Sequence, residues 1–318
     1  MVFAEGEEET IIRAAMAWRN AGLGTPVLIG RDERIHETMQ QMGLGDAQGI
    51  EIQNARLSLN NHYYADFLYR RMQRHGLLYR DCVRLVNSDR NVFAACMVAR
   101  GDGDALVTGL TRNYTSALKD LLRVVDPRPG QQMFGLSMVI ARGRTVFLAD
   151  TAVNELPETS VAADIATQAA HFVRQLGFTP RVAAVSFATF GNREVNVAKQ
   201  QSAVVAELER RGVDFEFDGE MEADVALDAE LLKLYPFCRL TAPANILIMP
   251  ALHSASIASK LLKQLGGGQV IGPILMGLDR PVQILPMDAG VSDILNLGAI
   301  GAFSSIRDEV EATDMAAS

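Results

Sequence analysis

Short apolar runs alternate with amphipathic stretches along most of the chain. Apolar residues recur at helical spacing over residues 8–21, and residues 26–30, PVLIG, form a short apolar run of the kind that is typical of a buried strand. The same alternation continues towards the C-terminus. It predicts parallel sheets with helices packed on their faces, and so an α/β fold.

The pattern predicts each element in turn. Strands are expected at residues 2–4, 26–30, 50–52, 105–109, 134–141, 145–149, 182–187, 215–217 and 246–249. Helices are expected at residues 8–21, 34–42, 62–76, 80–100, 114–125, 160–176, 195–211, 226–234 and 254–265, with a final helix or helix pair from 291 to about 312.

Residues 126–131, DPRPGQ, hold two prolines and a glycine and predict a linker between two domains. A chain of 318 residues is also long for one compact core. The pattern therefore predicts two α/β subdomains with a cleft between them.

Composition limits the possible functions. A hydrophobic content of 48% with 21% charged residues is that of a folded protein, and the net charge of −8 argues against a nucleic-acid partner. No apolar run reaches the length of about 18 residues that a membrane span needs, and the N-terminus lacks the pattern of a signal peptide. Three cysteines without metal or disulfide spacing predict buried, reduced thiols in a cytoplasmic protein.

Residues 244–293 are the stretch where we expect a ligand. A buried strand there ends at Pro250, and loops at the carboxyl ends of parallel strands are where α/β sheets bind ligands. His253 follows this strand end, although a histidine in a loop is usually only exposed. Asp293 closes the stretch and either orients an amide or thiol or caps the last helix.

A second candidate lies at residues 101–119, which read as strand, glycine and threonine loop, then helix. Thr111 and Asn113 can donate hydrogen bonds or cap, while Arg112 and Lys119 bring positive charge to a helix N-terminus, which suits an anion. The alternative is an ordinary capped loop with solvated basic residues. No histidine spacing in the chain predicts a metal site.

Six segments carry a resemblance to a known family. They are VFAEGEEETIIRAA, GDGDALVTG, VFLADTAVN, RVAAVSFAT, ANILIMPAL and VIGPILMGLDRPV. In this order and spacing the chain resembles the phosphate acetyltransferase (phosphotransacetylase) family over nearly its whole length. The resemblance implies a fold similar to isocitrate and isopropylmalate dehydrogenases, with one α/β subdomain at residues 1–130 and 288–318, the other at 131–287, and pairing into homodimers or larger homo-oligomers.

The chain departs from the family where the catalytic residues should follow. Active members read approximately PVNDLSRG, whereas this chain reads PVQILPMD, so that Pro286 replaces the serine and Met287 the arginine. Asp293 falls where the family's thiol-activating aspartate is expected, and Lys119 falls where an arginine is common. A second family arginine aligns near Arg70, Arg71 or Met72, and the resemblance does not decide between them.

Met287 offers no charge and Pro286 neither a hydroxyl nor an N–H, so the fixed cation that acyl transfer from phosphate requires is missing. The resemblance therefore implies no catalytic residues and no metal in this domain. It implies an acetyl-CoA cleft lined by Thr111, Arg112, Asn113, Lys119, Asn154, Pro286, Met287, Asp288 and Asp293.

Degenerate domains with ILPxDA at this place resemble the C-terminal part of large bacterial NADP-dependent malic enzymes. This resemblance implies N-terminal malic-enzyme domains that use NADP and a divalent metal to convert malate to pyruvate. The present domain would then support oligomerisation and bind acetyl-CoA, or a related CoA ester, as an effector. Two alternatives are an active phosphate acetyltransferase and a purely structural oligomerisation domain.

Overall fold

The computed structural model describes residues 1–45, 47–191 and 196–317, and its contacts divide it into two compact units. Unit 1 comprises Met1–Pro129 and Leu278–Ser318, and unit 2 comprises Gly130–Gly277. The second boundary lies ahead of the expected one at residue 287. The reason is a strand at Val282–Ile284, which pairs within the sheet of unit 1.

Unit 1 contains a five-stranded parallel sheet. Its strands are β1 (Val2–Phe3), β2 (Val27–Ile29), β3 (Glu51–Gln53), β4 (Leu106–Thr108) and β11 (Val282–Ile284), in the order β11-β4-β1-β2-β3. Its helices are α1 (Glu9–Asn20), α2 (Asp32–Gln41), α3 (Asn61–Met72), α4 (Tyr79–Ser88), α5 (Arg90–Arg100), α6 (Tyr114–Leu121) and α12 (Val291–Ala317).

Unit 2 contains a six-stranded mixed sheet. Its strands are β5 (Phe134–Ala141), β6 (Arg144–Ala149), β7 (Arg181–Val185), β8 (Glu216–Met221), β9 (Ile246–Ile248) and β10 (Gln269–Met276), in the order β10-β5-β6-β9-β7-β8. Its helices are α7 (Thr159–Gln175), α8 (Asn196–Arg211), α9 (Ala223–Leu227), α10 (Ala229–Leu232) and α11 (Leu252–Leu265). The predicted start of α8 at Val195 lies outside the described residues.

Apolar patterning explains the core of each unit. The central strand β1 and its neighbours β2 and β4 are buried along their whole length, as expected for parallel strands covered on both faces. Trp18 of α1 is 1% exposed and packs edge-on against Phe3. Gly298 of α12 approaches this indole so closely that an added Cβ would lie 3.1 Å from its ring, so α12 closes over the core there.

The structure differs from the predicted helices and strands at several places. The single helix expected at residues 80–100 is two helices, because the carboxylate of Asp89 accepts hydrogen bonds from the N–H groups of Asn91 and Val92 and starts α5 there. The helix expected at residues 226–234 is similarly divided at Asp228 into α9 and α10. Strand β11 was not predicted at all, since only three residues form it and Gln283 interrupts its apolar character.

Two predictions from composition can be compared with the structure. Cys82 and Cys96 are buried and Cys238 is partly buried, all as free thiols. Burial raises the pKa of Cys96 to about 12, which makes it unreactive at neutral pH. Across the described part of the chain, no helix combines the length and apolar character that crossing a bilayer would need.

Candidate functional site

The candidate loops of unit 1 meet at the carboxyl edge of its sheet. Strands β4 and β11 are parallel neighbours, and the N–H of Leu285 donates to the carbonyl of Thr108 at 2.7 Å. Residues 109–113 and 286–288 therefore leave the sheet side by side. Gly109 has a φ of 105°, and a Cβ there would lie 2.7 Å from Cγ2 of Ile284, so only glycine permits this approach.

Thr111 binds a carboxylate of the chain itself. Its hydroxyl donates to Oε1 of Glu5 at 3.1 Å, and the N–H of Gly109 donates to both Glu5 oxygens, at 3.1 and 3.0 Å. Glu5 lies two residues after the end of β1 and is 1% exposed. The loop that we expected to attract an anion thus already holds one.

Arg112 is also engaged internally. Its Nη1 lies 3.2 Å from Oδ2 of Asp89 and 2.6 Å from Oδ2 of Asp120. Burial by itself lowers the pKa of Arg112, but the two carboxylates raise it and keep the guanidinium charged. Arg112 therefore joins the loop to the start of α5 and to α6, and its charge is balanced without a ligand.

Asn113 and Lys119 have different roles. Asn113 is the N-cap of α6, because its Oδ1 accepts a hydrogen bond from the N–H of Ser116 at 2.8 Å. The prediction that Lys119 lies at a helix N-terminus was wrong, because Lys119 lies in the last turn of α6. It is exposed there and forms no ion pair with any residue that the structure describes. Of the two basic residues predicted at this loop, Lys119 is the one whose charge is open to an external anion.

Residues 286–288 form a turn on the other side of the same edge. The carbonyl of Pro286 accepts a hydrogen bond from the N–H of Ala289 at 3.0 Å, and Met287 at the tip of the turn is 62% exposed. Asp288 is also exposed. Neither Pro286 nor Met287 provides a cation or a side-chain donor at this position.

Asp293 caps the last helix. Its Oδ2 accepts a hydrogen bond from the N–H of Gly290 at 3.1 Å, one residue before α12 begins at Val291. This contact is half of a capping box, and the negative charge also lies at the favourable end of the helix dipole. Of the two roles considered for Asp293, the structure shows the cap.

Arg71, one candidate for the second family arginine, is also paired with a carboxylate of the chain. Arg71 forms a two-point ion pair with Asp126, with both N–O distances at 2.7 Å, and its guanidinium lies 5.6 Å from the ring centre of Phe67. The ion pair lowers the pKa of Asp126. Arg70, the other candidate, is exposed on α3.

Asn154 belongs to unit 2 and is part of a loop built around Asp150. Its Nδ2 donates to Oδ2 of Asp150 at 2.6 Å and to the carbonyl of Met133 at 2.8 Å, while its Oδ1 accepts from Gln132 at 3.0 Å. Asp150 is 3% exposed. The side chain of Asn154 is thus fixed by contacts within its own unit.

An open pocket of about 770 Å³ lies beside Asn154 in unit 2. It is formed where the loops after β6 and β9 meet, and the N–H of Leu252 donates to the carbonyl of Glu155 there at 3.0 Å. His253 and Glu158 line it, and α7 and α11 begin beside it without side-chain caps. His253 was predicted to follow a strand end, and in the structure it follows β9 and lines this pocket.

Two buried carboxylates that accept hydrogen bonds from loop N–H groups, Glu5 and Asp150, were not predicted from the sequence. Each lies just after the end of a strand, in the segments VFAE and FLAD: Asp150 directly follows β6, and Ala4 separates Glu5 from β1. A carboxylate that cannot reach solvent at this position must find hydrogen-bond donors in the adjoining loops. An acidic residue just after a buried strand was therefore the sequence feature that could have predicted both carboxylates. In the described residues, no cluster of three or more histidine, cysteine, aspartate or glutamate side chains is arranged to hold a metal ion.

The fold agrees with comparisons to known proteins. The chain belongs to the phosphate acetyl/butaryl transferase family, whose model matches residues 1–302. A phosphotransacetylase from Streptococcus pyogenes has the same fold, with a TM-score of 0.86 and 26% identity over 96% of this chain and 94% of that structure.

Malic enzymes are similar to this chain over a part of their length. It is 53% identical over 306 residues to the NADP-dependent malic enzyme of Rhizobium meliloti, a match of 96% of this chain and 40% of that protein. It is 46% identical to a probable NADP-dependent malic enzyme of Rickettsia prowazekii, over 97% of this chain and 42% of that protein. The chain is therefore a phosphotransacetylase-like domain that spans about two fifths of these relatives.

Proposed function

We propose that this chain is the phosphotransacetylase-like domain of an NADP-dependent malic enzyme, in which it binds acetyl-CoA or a related CoA ester as an effector without transferring the acyl group. One observation carries the proposal. A chain 53% identical to part of a malic enzyme has Pro286 and Met287 where the family resemblance expects serine and arginine. The NADP and metal chemistry on malate belongs to the part of such an enzyme outside this chain.

The charges at the carboxyl edge of unit 1 support a binding role over a catalytic one. Acyl transfer from a phosphate requires a fixed cation or donors aimed at the phosphoryl oxygens. Arg112 and Arg71 are already paired with carboxylates, and Met287 is uncharged. The binding of an effector does not require these catalytic groups. An effector shifts the equilibrium between two states of the protein because it binds one state more tightly, and no bond is broken.

Lys119 is the residue that we propose contacts a phosphate of CoA. It is exposed in the last turn of α6, the helix that follows the loop at residues 109–113, and has no ion-pair partner among the described residues. In isothermal titration calorimetry with acetyl-CoA, Lys119→Ala should weaken binding about fivefold, which corresponds to about 1 kcal/mol for one exposed ionic contact. Lys260→Ala removes an exposed lysine from α11 in unit 2 and is the matched control, for which we expect unchanged affinity.

Two results would contradict this proposal. Absence of measurable heat when acetyl-CoA is added to the folded protein would remove the effector role and leave a structural domain. Formation of acetyl phosphate from acetyl-CoA and inorganic phosphate would instead show an active acetyltransferase. Equal losses of affinity in Lys119→Ala and Lys260→Ala would exclude the assignment of Lys119 alone.

We also propose that two copies of the chain pair through the outer face of α11 and the adjoining edge of the unit 2 sheet. Ile257, Leu261 and Leu265 recur every four residues on α11 and are 57%, 53% and 81% exposed. Strand β10, which pairs with β5 on one side only, forms the end of the sheet and carries no charged residue. An uncharged edge strand and an apolar helix face are features of surfaces that associate.

A further inference from the structure

The turn that follows β4 has the geometry of a backbone anion-binding site. The N–H groups of Gly109, Leu110 and Thr111 all point to the carboxylate of Glu5, at distances of 3.0 to 3.4 Å, and the Thr111 hydroxyl adds a fourth donor at 3.1 Å. Consecutive N–H groups that converge in this way form a concavity that binds anions, including phosphate. We call these three N–H groups and the hydroxyl the turn site.

Among the residues that the structure describes, the carboxylate of Glu5 is bound by the turn site and not by a cation. Glu5 is 1% exposed, and none of the lysines and arginines that the structure describes forms an ion pair with it. Arg112, the basic residue that directly follows the turn site in the sequence, is engaged with Asp89 and Asp120. A buried carboxylate is costly unless it is fully hydrogen-bonded, so the four donors are what permits Glu5 to lie there.

The shape of the turn depends on more than Glu5. The N–H of Arg112 donates to the carbonyl of Gly109 at 3.4 Å and closes the turn. Gly109 is also held against β11, because its backbone passes so near Ile284 and Leu285 that no side chain fits. Without the Glu5 side chain, the donors should therefore keep their directions and lose only their acceptor.

We propose that Glu5 is a built-in oxyanion, whose carboxylate occupies a latent binding site for a small inorganic oxyanion such as phosphate or sulfate. In the natural chain this site is closed to external anions, because the tethered carboxylate fills it. The carboxylate of Glu5 is thus the ligand of the turn site, and an external phosphate group must bind at a different place on the protein. This inference does not depend on the proposed binding of a CoA ester.

The test is rescue of a Glu5→Ala variant by phosphate. Its thermal unfolding is compared in potassium phosphate and in potassium chloride of equal ionic strength at the same pH. If the emptied turn site binds phosphate with a dissociation constant near 1 mM, then 100 mM phosphate should raise the ratio of folded to unfolded protein roughly 100-fold. The natural chain and Glu155→Ala should change less than about twofold, since Glu155 is exposed and lies in unit 2, whereas the turn site lies in unit 1.

A second variant covers the case in which Glu5→Ala does not fold in either salt. Glu5→Gln keeps the size of the side chain but replaces one acceptor by an NH₂ group that faces the N–H donors. It should unfold at a lower temperature than Glu155→Gln, which changes an exposed residue of unit 2, and phosphate should not rescue it, because the amide still fills the space. Full stability of Glu5→Gln, or equal stabilisation of Glu5→Ala and the natural chain by phosphate, would overturn the proposal.

Discussion

Asp150→Ala should lower the free energy of unfolding by about 3–5 kcal/mol, because it removes the acceptor for a whole loop of unit 2. The carboxylate accepts from the N–H groups of Gly135, Ala152, Val153 and Asn154 and from the Asn154 amide, five donors in all at 2.6 to 3.1 Å. Asp150 itself is 3% exposed, so the freed donors lie where water reaches them poorly. Urea unfolding followed by circular dichroism measures the effect.

The control for this prediction is Glu155→Ala, an exposed position in the same part of the chain. It removes the same charge without removing an acceptor from the Asp150 loop, and its expected effect is within about 0.5 kcal/mol. Asp150→Asn should fall between the two, because one carbonyl oxygen remains to accept. A loss below about 1 kcal/mol for Asp150→Ala would show that the loop does not depend on this carboxylate.

The double variant Leu261→Glu with Leu265→Glu should convert paired chains into single chains. Each leucine is more than half exposed in the single chain, and burial of this remaining area against a second copy contributes about 1–2 kcal/mol. Two carboxylates at a symmetric apolar interface also face their own copies and repel. The dissociation constant should rise at least roughly 100-fold, which sedimentation velocity over a range of protein concentrations measures.

Leu234→Glu is the matched control for this experiment. Leu234 is 69% exposed in unit 2 but does not lie on α11, so its replacement should leave pairing unchanged. A natural chain that sediments as a single copy at all concentrations would exclude the proposed pairing. Unchanged pairing in the double variant would place the interface on another surface.

The alternation of strands and helices could be predicted from the sequence, because apolar residues recur at different spacings in a buried strand and in an amphipathic helix. Strand β5, for example, was predicted with its observed bounds, Phe134–Ala141. Short elements were less readable. Strand β11 was missed, and with it the assignment of residues 278–287 to unit 1, because pairing with β4 and not local pattern defines that strand.

The candidate site shows the same limit at the level of single residues. Thr111, Arg112 and Asn113 were predicted as anion ligands or ordinary loop residues, and they contact Glu5, Asp89 and the N-terminus of α6. The partner of the Gly109 N–H is 104 residues away in sequence. Local pattern contains no information about which carboxylate reaches a given loop, since that depends on strand order.

The sequence alone determined the α/β class, the family resemblance and the loss of a cation at Pro286 and Met287, because these depend on residue identity and local period. The tertiary structure decided which charges remain available to a ligand. It paired Arg112 with two aspartates, filled the turn site with Glu5 and left Lys119 exposed. Charge neutralisation and hydrogen bonding act between atoms a few ångströms apart, and only the folded chain brings those atoms together.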